Sequence, residues 1–264
     1  MIKLLDDVNC LAGFENTEPY WAAEVIADAN VFISSPELMD IWVEYKDEKP
    51  SAVLKCDAEN IALLTKSNSL SEDMLFFIGK LIEDKHFVNL SCRKEVKELL
   101  MNAFDLKSEE YPLMKCLKPR EINVPKGLEL RIDPPTDDIF KLLTSEDING
   151  EIPPEKEFWE LKIRRGMAKG FVTVAALYDG EKAVSCAMIR GRTKTSGAIA
   201  SVLTRSDHRK MGCAGTLTAV CSNMLIEEGR TPWLIPIDDY AKKLYGKLGF
   251  LPAAVHYNLK IKEE

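Results

Sequence analysis

With 46% apolar and 29% charged residues, a chain of 264 residues has the composition of a folded protein with a sizeable core, which excludes intrinsic disorder. Its formal net charge of −7 lacks the basic footprint that a general nucleic-acid binder needs to displace counterions. The length exceeds the ~100–150 residues of an ordinary domain, which allows one large or two modest domains and favours two.

Seven cysteines (Cys10, Cys56, Cys92, Cys116, Cys186, Cys213 and Cys221) are scattered without CxxC spacing, and an odd number cannot all pair within one chain. They read as reduced thiols of a cytoplasmic protein. No basic start precedes an apolar run, and no stretch approaches the ~18 apolar residues of a membrane span, so neither secretion nor insertion is expected. His86, His208 and His256 have no metal-ligand spacing, and no metal site is expected.

In chain order, residues 1–29 begin with Met1 to Leu5 and continue through Tyr20 to Asp28 with a helical apolar rhythm, predicting a packed N-terminal helix. Three strand-like pieces follow at 40–46, 51–55 and 60–65, separated by polar turns, as in an antiparallel meander. Ser71 precedes a helix through Met74, Leu75, Ile78, Leu81 and Ile82, acting as N-cap with acidic residues in the first turn. A strand over 87–90, a helix over 93–104 and a strand around 111–117 complete this half.

Proline, glycine and charge cluster at Lys118-Pro119-Arg120 and Pro125-Lys126-Gly127, predicting a boundary between domains 1–124 and 125–264. Beyond it come a strand from Leu128 to Ile132, a helix from Thr136 to Leu143, a polar segment over 145–154, and a helix opened by Pro154-Glu155 and running past Met167. Strands are predicted over 171–178, 182–190 and 196–204, the first two joined at Asp179-Gly180. A helix over 211–228, a strand over 233–237, a helix over 239–248 and a strand over 255–261 close the chain. The order of three strands, helix, strand, helix, strand occurs from Asp40 to Leu117 and again from Phe171 to Ile261, suggesting duplication.

The turn between 204 and 213 carries the strongest chemical signal. A strand ending at Thr204 feeds a polar turn, and small residues open the next helix. The first turn of a helix has backbone N–H groups without intrahelical partners and a partial positive charge. Gly212, Ala214 and Gly215 leave that backbone uncovered, and Arg209 and Lys210 stand beside it. Such a turn can hold a pyrophosphate; two glycines alone would equally well shape a loop.

The pattern Arg209-x-x-Gly212-x-Ala214 resembles the coenzyme A pyrophosphate motif of the GNAT N-acetyltransferases, Gln/Arg-x-x-Gly-x-Gly/Ala. Downstream, Asp238-Asp239-Tyr240-Ala241-Lys242-Lys243-Leu244-Tyr245-Gly246-Lys247-Leu248-Gly249-Phe250 is similar to the family's Asn-x-x-Ala-x-x-Leu-Tyr-x-x-Leu-Gly-Phe segment. The resemblance covers about the C-terminal half. It implies an α/β mixed-sheet GNAT fold, here in two tandem lobes, and an N-acetyltransferase moving an acetyl group from acetyl-CoA to a primary amine by direct attack. The N-terminal lobe lacks the phosphate-cradling turn, because Thr65 to Ser71 holds no glycine and no Arg-x-x-Gly, and is expected to be degenerate.

By the same resemblance, Val202, Leu203 and Thr204 present backbone to the pantetheine arm. Arg209, Lys210, Met211, Gly212, Cys213, Ala214 and Gly215 cradle the pyrophosphate, and Asp238 belongs to the cofactor site. Asp238 stands where the family has Asn, replacing an amide donor by an acceptor-only carboxylate. Tyr245 matches the family's general acid. The strand over 195–204 holds no carboxylate; Glu151 and Glu155 are candidate bases, but they read as solvated residues, and a water chain is the favoured route for the proton. His208 reads as a surface residue and Cys213 as a small packing residue. The expected partners are a small-molecule or peptide amine, not nucleic acid or membrane, with the chain a monomer or homodimer. A coenzyme A-binding or regulatory protein without turnover is the alternative.

Overall fold

The computed structural model describes residues 1–35, 38–57, 60–83, 89–145 and 155–262. In chain order the elements are β1 (Ile2–Leu4), α1 (Pro19–Phe32), β2 (Asp40–Lys46), β3 (Lys49–Asp57), β4 (Asn60–Thr65), α2 (Glu72–Glu83), β5 (Asn89–Cys92), α3 (Lys94–Ala103) and β6 (Leu106–Lys115). They continue with β7 (Glu129–Ile132), α4 (Thr136–Leu143), α5 (Lys156–Ala168), β8 (Thr173–Asp179), β9 (Lys182–Arg192), β10 (Ser196–Thr204), α6 (Cys213–Glu227), β11 (Thr231–Leu234), α7 (Asp239–Lys247) and β12 (Leu251–Ile261). Among the described residues no helix is long and apolar enough to cross a membrane.

Local chemistry sets these bounds. The Ser71 hydroxyl accepts from the Met74 N–H at 3.0 Å, and Glu72 and Asp73 lie in the first turn of α2, where the helix dipole favours negative charge. Asp238 caps α7 in the same way, accepting from the Ala241 N–H at 2.7 Å. The helix predicted from Met211 starts only at Cys213, because Lys210 and Gly212 hold φ of 66° and 92° and cannot continue a right-handed helix. The predicted strand 233–237 is β11, ending at Leu234; Pro236 offers no N–H to a ladder and Ile237 is exposed. Sequence rhythm also missed β1, which pairs antiparallel with β2 through Ile2↔Glu44 and Leu4↔Trp42. The residues 87 and 88 assigned to a strand, and His86, lie outside the described residues.

The chain divides into two compact units, Met1–Leu113 with Pro252–Glu264, and Met114–Leu251. The boundary expected at 124/125 is therefore displaced. Residues 114–124 are tied into the second unit: Met114 pairs with Leu234 and Lys115 with Trp233, the Asn223 amide donates to the Arg120 carbonyl at 2.7 Å, and the Thr216 hydroxyl donates to that of Asn123 at 2.7 Å. The terminal strand β12 lies in the first unit, pairing antiparallel with β5 through Tyr257↔Cys92 and Leu259↔Leu90.

In unit 1 the strands run β1-β2-β3-β4-β5-β12, with the first part of β6 beyond β12; in unit 2 they run β7-β8-β9-β10-β11 with the end of β6. Unit 1 thus receives β12 from the other repeat, and unit 2 the end of β6, a crossing that element order along the chain cannot reveal. Unit 1 packs Leu54, Leu63, Met74, Ile78, Leu90, Val96, Leu100 and Leu259 into one core. Unit 2 buries apolar side chains on both faces of its sheet. Ile199, Leu217, Cys221, Leu225 and Phe250 form one core, and Ile139, Trp159, Ile163, Val174 and Met188 the other.

Candidate functional site

The site is built where β10 leaves β11. These parallel strands pair only at Ser196↔Thr231, Gly197↔Pro232 and Ala198↔Trp233, after which β11 ends and β10 continues to Thr204. Past Ala198, the β11 side of β10 has no paired strand among the described residues, and carbonyls there turn to side chains: Leu203 accepts from the Ser185 hydroxyl at 2.6 Å and Ser201 from Cys186 Sγ at 3.5 Å.

On its other side β10 meets β9 through two irregularities. Ala198 pairs with Gly191 and Ile199 with Ile189, which leaves Arg190 as an extra residue on β9. Ala200 pairs with Met188 and Leu203 with Cys186, which sets Ser201 and Val202 against a single residue, Ala187. Bulges bend a strand and re-aim its side chains, and they recur beside functional sites. Ser201 lies at φ 52°, a left-handed conformation that is unfavourable for a residue with a Cβ. Its hydroxyl stands 3.5 Å from Arg190 Nη1. Neither residue was legible as a site residue, because a bulge leaves no mark in the alternation of apolar and polar positions.

Beyond Thr204 the turn reaches α6. Gly212 is the N-cap residue and supplies no side chain, so the N–H groups of Cys213, Ala214 and Gly215 have no side-chain cap. Nothing lies within 4 Å of where a Gly212 Cβ would sit. Arg209, Lys210, Met211 and Gly212 are exposed around this bare helix end, and Arg209 Nε donates to the Thr204 carbonyl at 3.2 Å. Cys213 is buried, its thiol pushed up by lost hydration and turned towards the His208 carbonyl, which fits a packing residue. His208 is held between Asp207 at 2.7 Å and Asp179 at 3.4 Å.

Tyr245, on α7, is 7% exposed and packs its ring against Phe250 at a centroid distance of 6.0 Å. Lost hydration first, and the charge of Asp238 second, push its phenol up to about 12. The hydroxyl has no hydrogen-bond partner among the described residues. Just after α7, Gly249 at φ 80° lets Arg120 pass so close that an added Cβ would lie 1.5 Å from Nη2. This packing fixes the corner carrying Tyr245 and Phe250. Asp238 is engaged as the cap of α7. Glu155 is exposed at the start of α5 without a capping bond, and Glu151 lies outside the described residues.

Unit 1 offers an internal comparison. There β4 and β5 pair in parallel at Asn60↔Asn89, Ile61↔Leu90 and Ala62↔Ser91, and β4 again runs on past its partner to Thr65. Arg93 fills this opening: its Nε donates to Thr65 Oγ1 at 2.9 Å, and Nη2 to Asn68 Oδ1 at 2.9 Å and to the Ser67 carbonyl. The turn leading to α2 contains no glycine, and Ser71 caps that helix.

Parallel strands thus part twice, beside the uncapped start of α6 and beside the Ser71-capped start of α2. The chain matches the family model described as FR47-like protein over residues 177–258. No curated protein matches the chain. Among solved structures it is similar to a putative acetyltransferase from Pyrococcus horikoshii, at 11% identity and a TM-score of 0.65, covering 100% of this chain and 89% of that one. It is also similar to a tandem GNAT protein from the clavulanic acid biosynthesis pathway, at 12% identity and a TM-score of 0.63, covering 100% and 99%. A GNAT-family acetyltransferase from Colwellia psychrerythraea matches at 10% identity and a TM-score of 0.57, covering 99% and 100%. At these identities the likeness establishes the fold.

Proposed function

We propose that the chain is an N-acetyltransferase that uses acetyl-CoA and a small-molecule or peptide primary amine, with its working site in unit 2. The observation that carries this reading is the parting of β10 from β11 beyond Ala198↔Trp233, on the strand that leads to the uncapped start of α6. The strand edge that β11 leaves would offer backbone to an amide-rich arm, and the helix end would offer N–H groups and cations to a pyrophosphate. The open space at Gly212 fits such a group.

When bound, acetyl-CoA supplies an activated acyl carbon on a thioester. The residues of this chain would then act on charge and position. The β10 backbone orients the arm, and the N–H groups of Cys213, Ala214 and Gly215 with Arg209 and Lys210 hold the phosphates. Tyr245 would serve as the donor to the departing sulfur. A phenol near 12 stays protonated across the neutral range. Full transfer to a free thiolate, whose conjugate thiol titrates near ~8.5, would run uphill. Its hydroxyl therefore contributes most as the C–S bond breaks, donating to charge that develops on sulfur.

The test is release of the coenzyme A thiol with a panel of amines and peptide N-termini, with the acetylated product identified by mass. A protein that binds acetyl-CoA yet releases no thiol with any acceptor would favour a second reading, a coenzyme A-binding regulatory protein. That alternative draws on β10, which carries no carboxylate to serve as base.

A further inference from the structure

Unit 1 carries a polar cavity of about 190 Å³ beside the turn from β4 to α2, lined by Glu44, Lys46, Ser51, Ser67, Ser69 and Ser71 among others. At ~30 Å³ per liquid water, that is room for about six or seven non-hydrogen atoms. Local structure brings these residues together. Glu44 and Lys46 are alternate residues of β2 and share one face of the strand. Ala52 pairs with Glu44 and Pro50 with Tyr45, which leaves Ser51 as the extra residue of a bulge on β3. The Lys66 N–H donates to the Ser51 carbonyl at 2.9 Å, and Arg93 holds the Ser67 carbonyl and the Asn68 side chain, so the turn carrying the other serines is anchored.

The wall presents both signs of charge. Glu44 is 5% exposed, and its carboxylate accepts from the Ser51 hydroxyl at 2.7 Å and from the Ser71 hydroxyl. Both donors are neutral, and Glu44 has no ion pair among the described residues. A carboxylate withdrawn from water gains most from a cation. Lys46 is exposed, and its ammonium likewise has no ion pair among the described residues. The Met1 ammonium, also at this cavity, is engaged by Asp73 at 3.7 Å. Ser69 Oγ has Ser67 Oγ as a partner at 3.3 Å and keeps capacity for a further hydrogen bond.

From this arrangement we infer that the cavity binds a small zwitterion of free amino-acid size, its ammonium on Glu44 and its carboxylate towards Lys46, with the serine hydroxyls bonding its polar groups. A free amino acid carries both charges on one carbon and satisfies both walls at once. A simple cation meets the repulsion of Lys46, and a simple anion that of Glu44. The site belongs to unit 1 alone and is independent of the acyl-transfer reading.

The experiment titrates L-serine, serinamide, which lacks the carboxylate, and glycerate, which lacks the ammonium, into the full chain by calorimetry. Measurement at about pH 6 keeps α-amino groups protonated. L-serine should bind at least about tenfold tighter than either analogue, the scale of one charge-assisted contact. Glu44→Gln should remove its advantage over glycerate, and Lys46→Gln its advantage over serinamide. Urea unfolding of each variant checks the fold; because Lys46 is exposed, its variant keeps the test decisive even if Glu44→Gln weakens the start of α2. L-serine that does not bind, or that binds no tighter than its analogues, overturns the inference, as does a preference that survives either substitution.

Discussion

Gly212 combines a left-handed backbone at φ 92° with empty space around the missing side chain. A substitution there strains the backbone by about 1 kcal/mol without a clash, so the protein should still fold. Gly212→Asp would add a negative charge at the open end of α6, where Arg209 and Lys210 stand. Titration calorimetry should show acetyl-CoA affinity falling by about tenfold or more, the scale of one charge-assisted contact, while the thermal midpoint changes little. Unchanged affinity would place the phosphates elsewhere. Glu18 in unit 1 carries a different signal. It is 7% exposed, and lost hydration, opposed in part by Arg93 and the Thr65 N–H, pushes its carboxyl up to about 8. An unfolded glutamate titrates near ~4.3, so between that value and about 8 the folded state holds the extra proton and stability falls as pH rises. Glu18→Gln should flatten this part of the stability–pH curve and make the variant the more stable protein at pH values above about 8, as read by urea unfolding. Parallel curves for the two proteins would mean that Glu18 ionises normally.

At the scale of elements, the two parallel strand pairs pose the same opening and answer it differently. Past Ala62↔Ser91 the opening of unit 1 is crossed by Arg93, whose guanidinium satisfies Thr65, Ser67 and Asn68, whereas β10 of unit 2 leads to an uncapped helix. A charged side chain hydrogen-bonded to Thr65 Oγ1, Asn68 Oδ1 and the Ser67 carbonyl occupies the turn where a phosphate-bearing ligand would have to enter. Removing Arg93 would leave polar groups such as Thr65 Oγ1 without this partner. One acetyl-CoA should therefore bind per chain, and calorimetry or native mass spectrometry decides the number. Two equivalent sites would contradict the degenerate reading of unit 1. Sequence led to this expectation through the missing glycine between Thr65 and Ser71, but not through Arg93, because one arginine before a helix says nothing of where its side chain reaches.

For the whole chain, much of the fold was legible because periodicity and turn chemistry act locally. The meander β2 to β4, the Ser71 cap, and the order of strands and helices around Gly212 all follow from neighbouring residues. What escaped was set by long-range pairing. The expected split at 124/125 assumed that each repeat keeps its own last strand, whereas β12 pairs with β5 and the end of β6 pairs with β11. The parting of β10 from β11 was expected from its motif, yet Ser201 and Arg190 were not, since their bulges depend on register between strands. The central claim remains that Tyr245 assists departure of a thiolate in a working unit 2. Tyr245→Phe keeps the ring packed on Phe250 and removes only the hydroxyl, which has no hydrogen-bond partner among the described residues. Coenzyme A thiol release by wild type and variant, at matched acetyl-CoA saturation, tests it most directly. Turnover should fall by about 10²–10⁴-fold with coenzyme A affinity nearly unchanged; a phenylalanine variant as fast as the wild type would contradict a role for the Tyr245 hydroxyl.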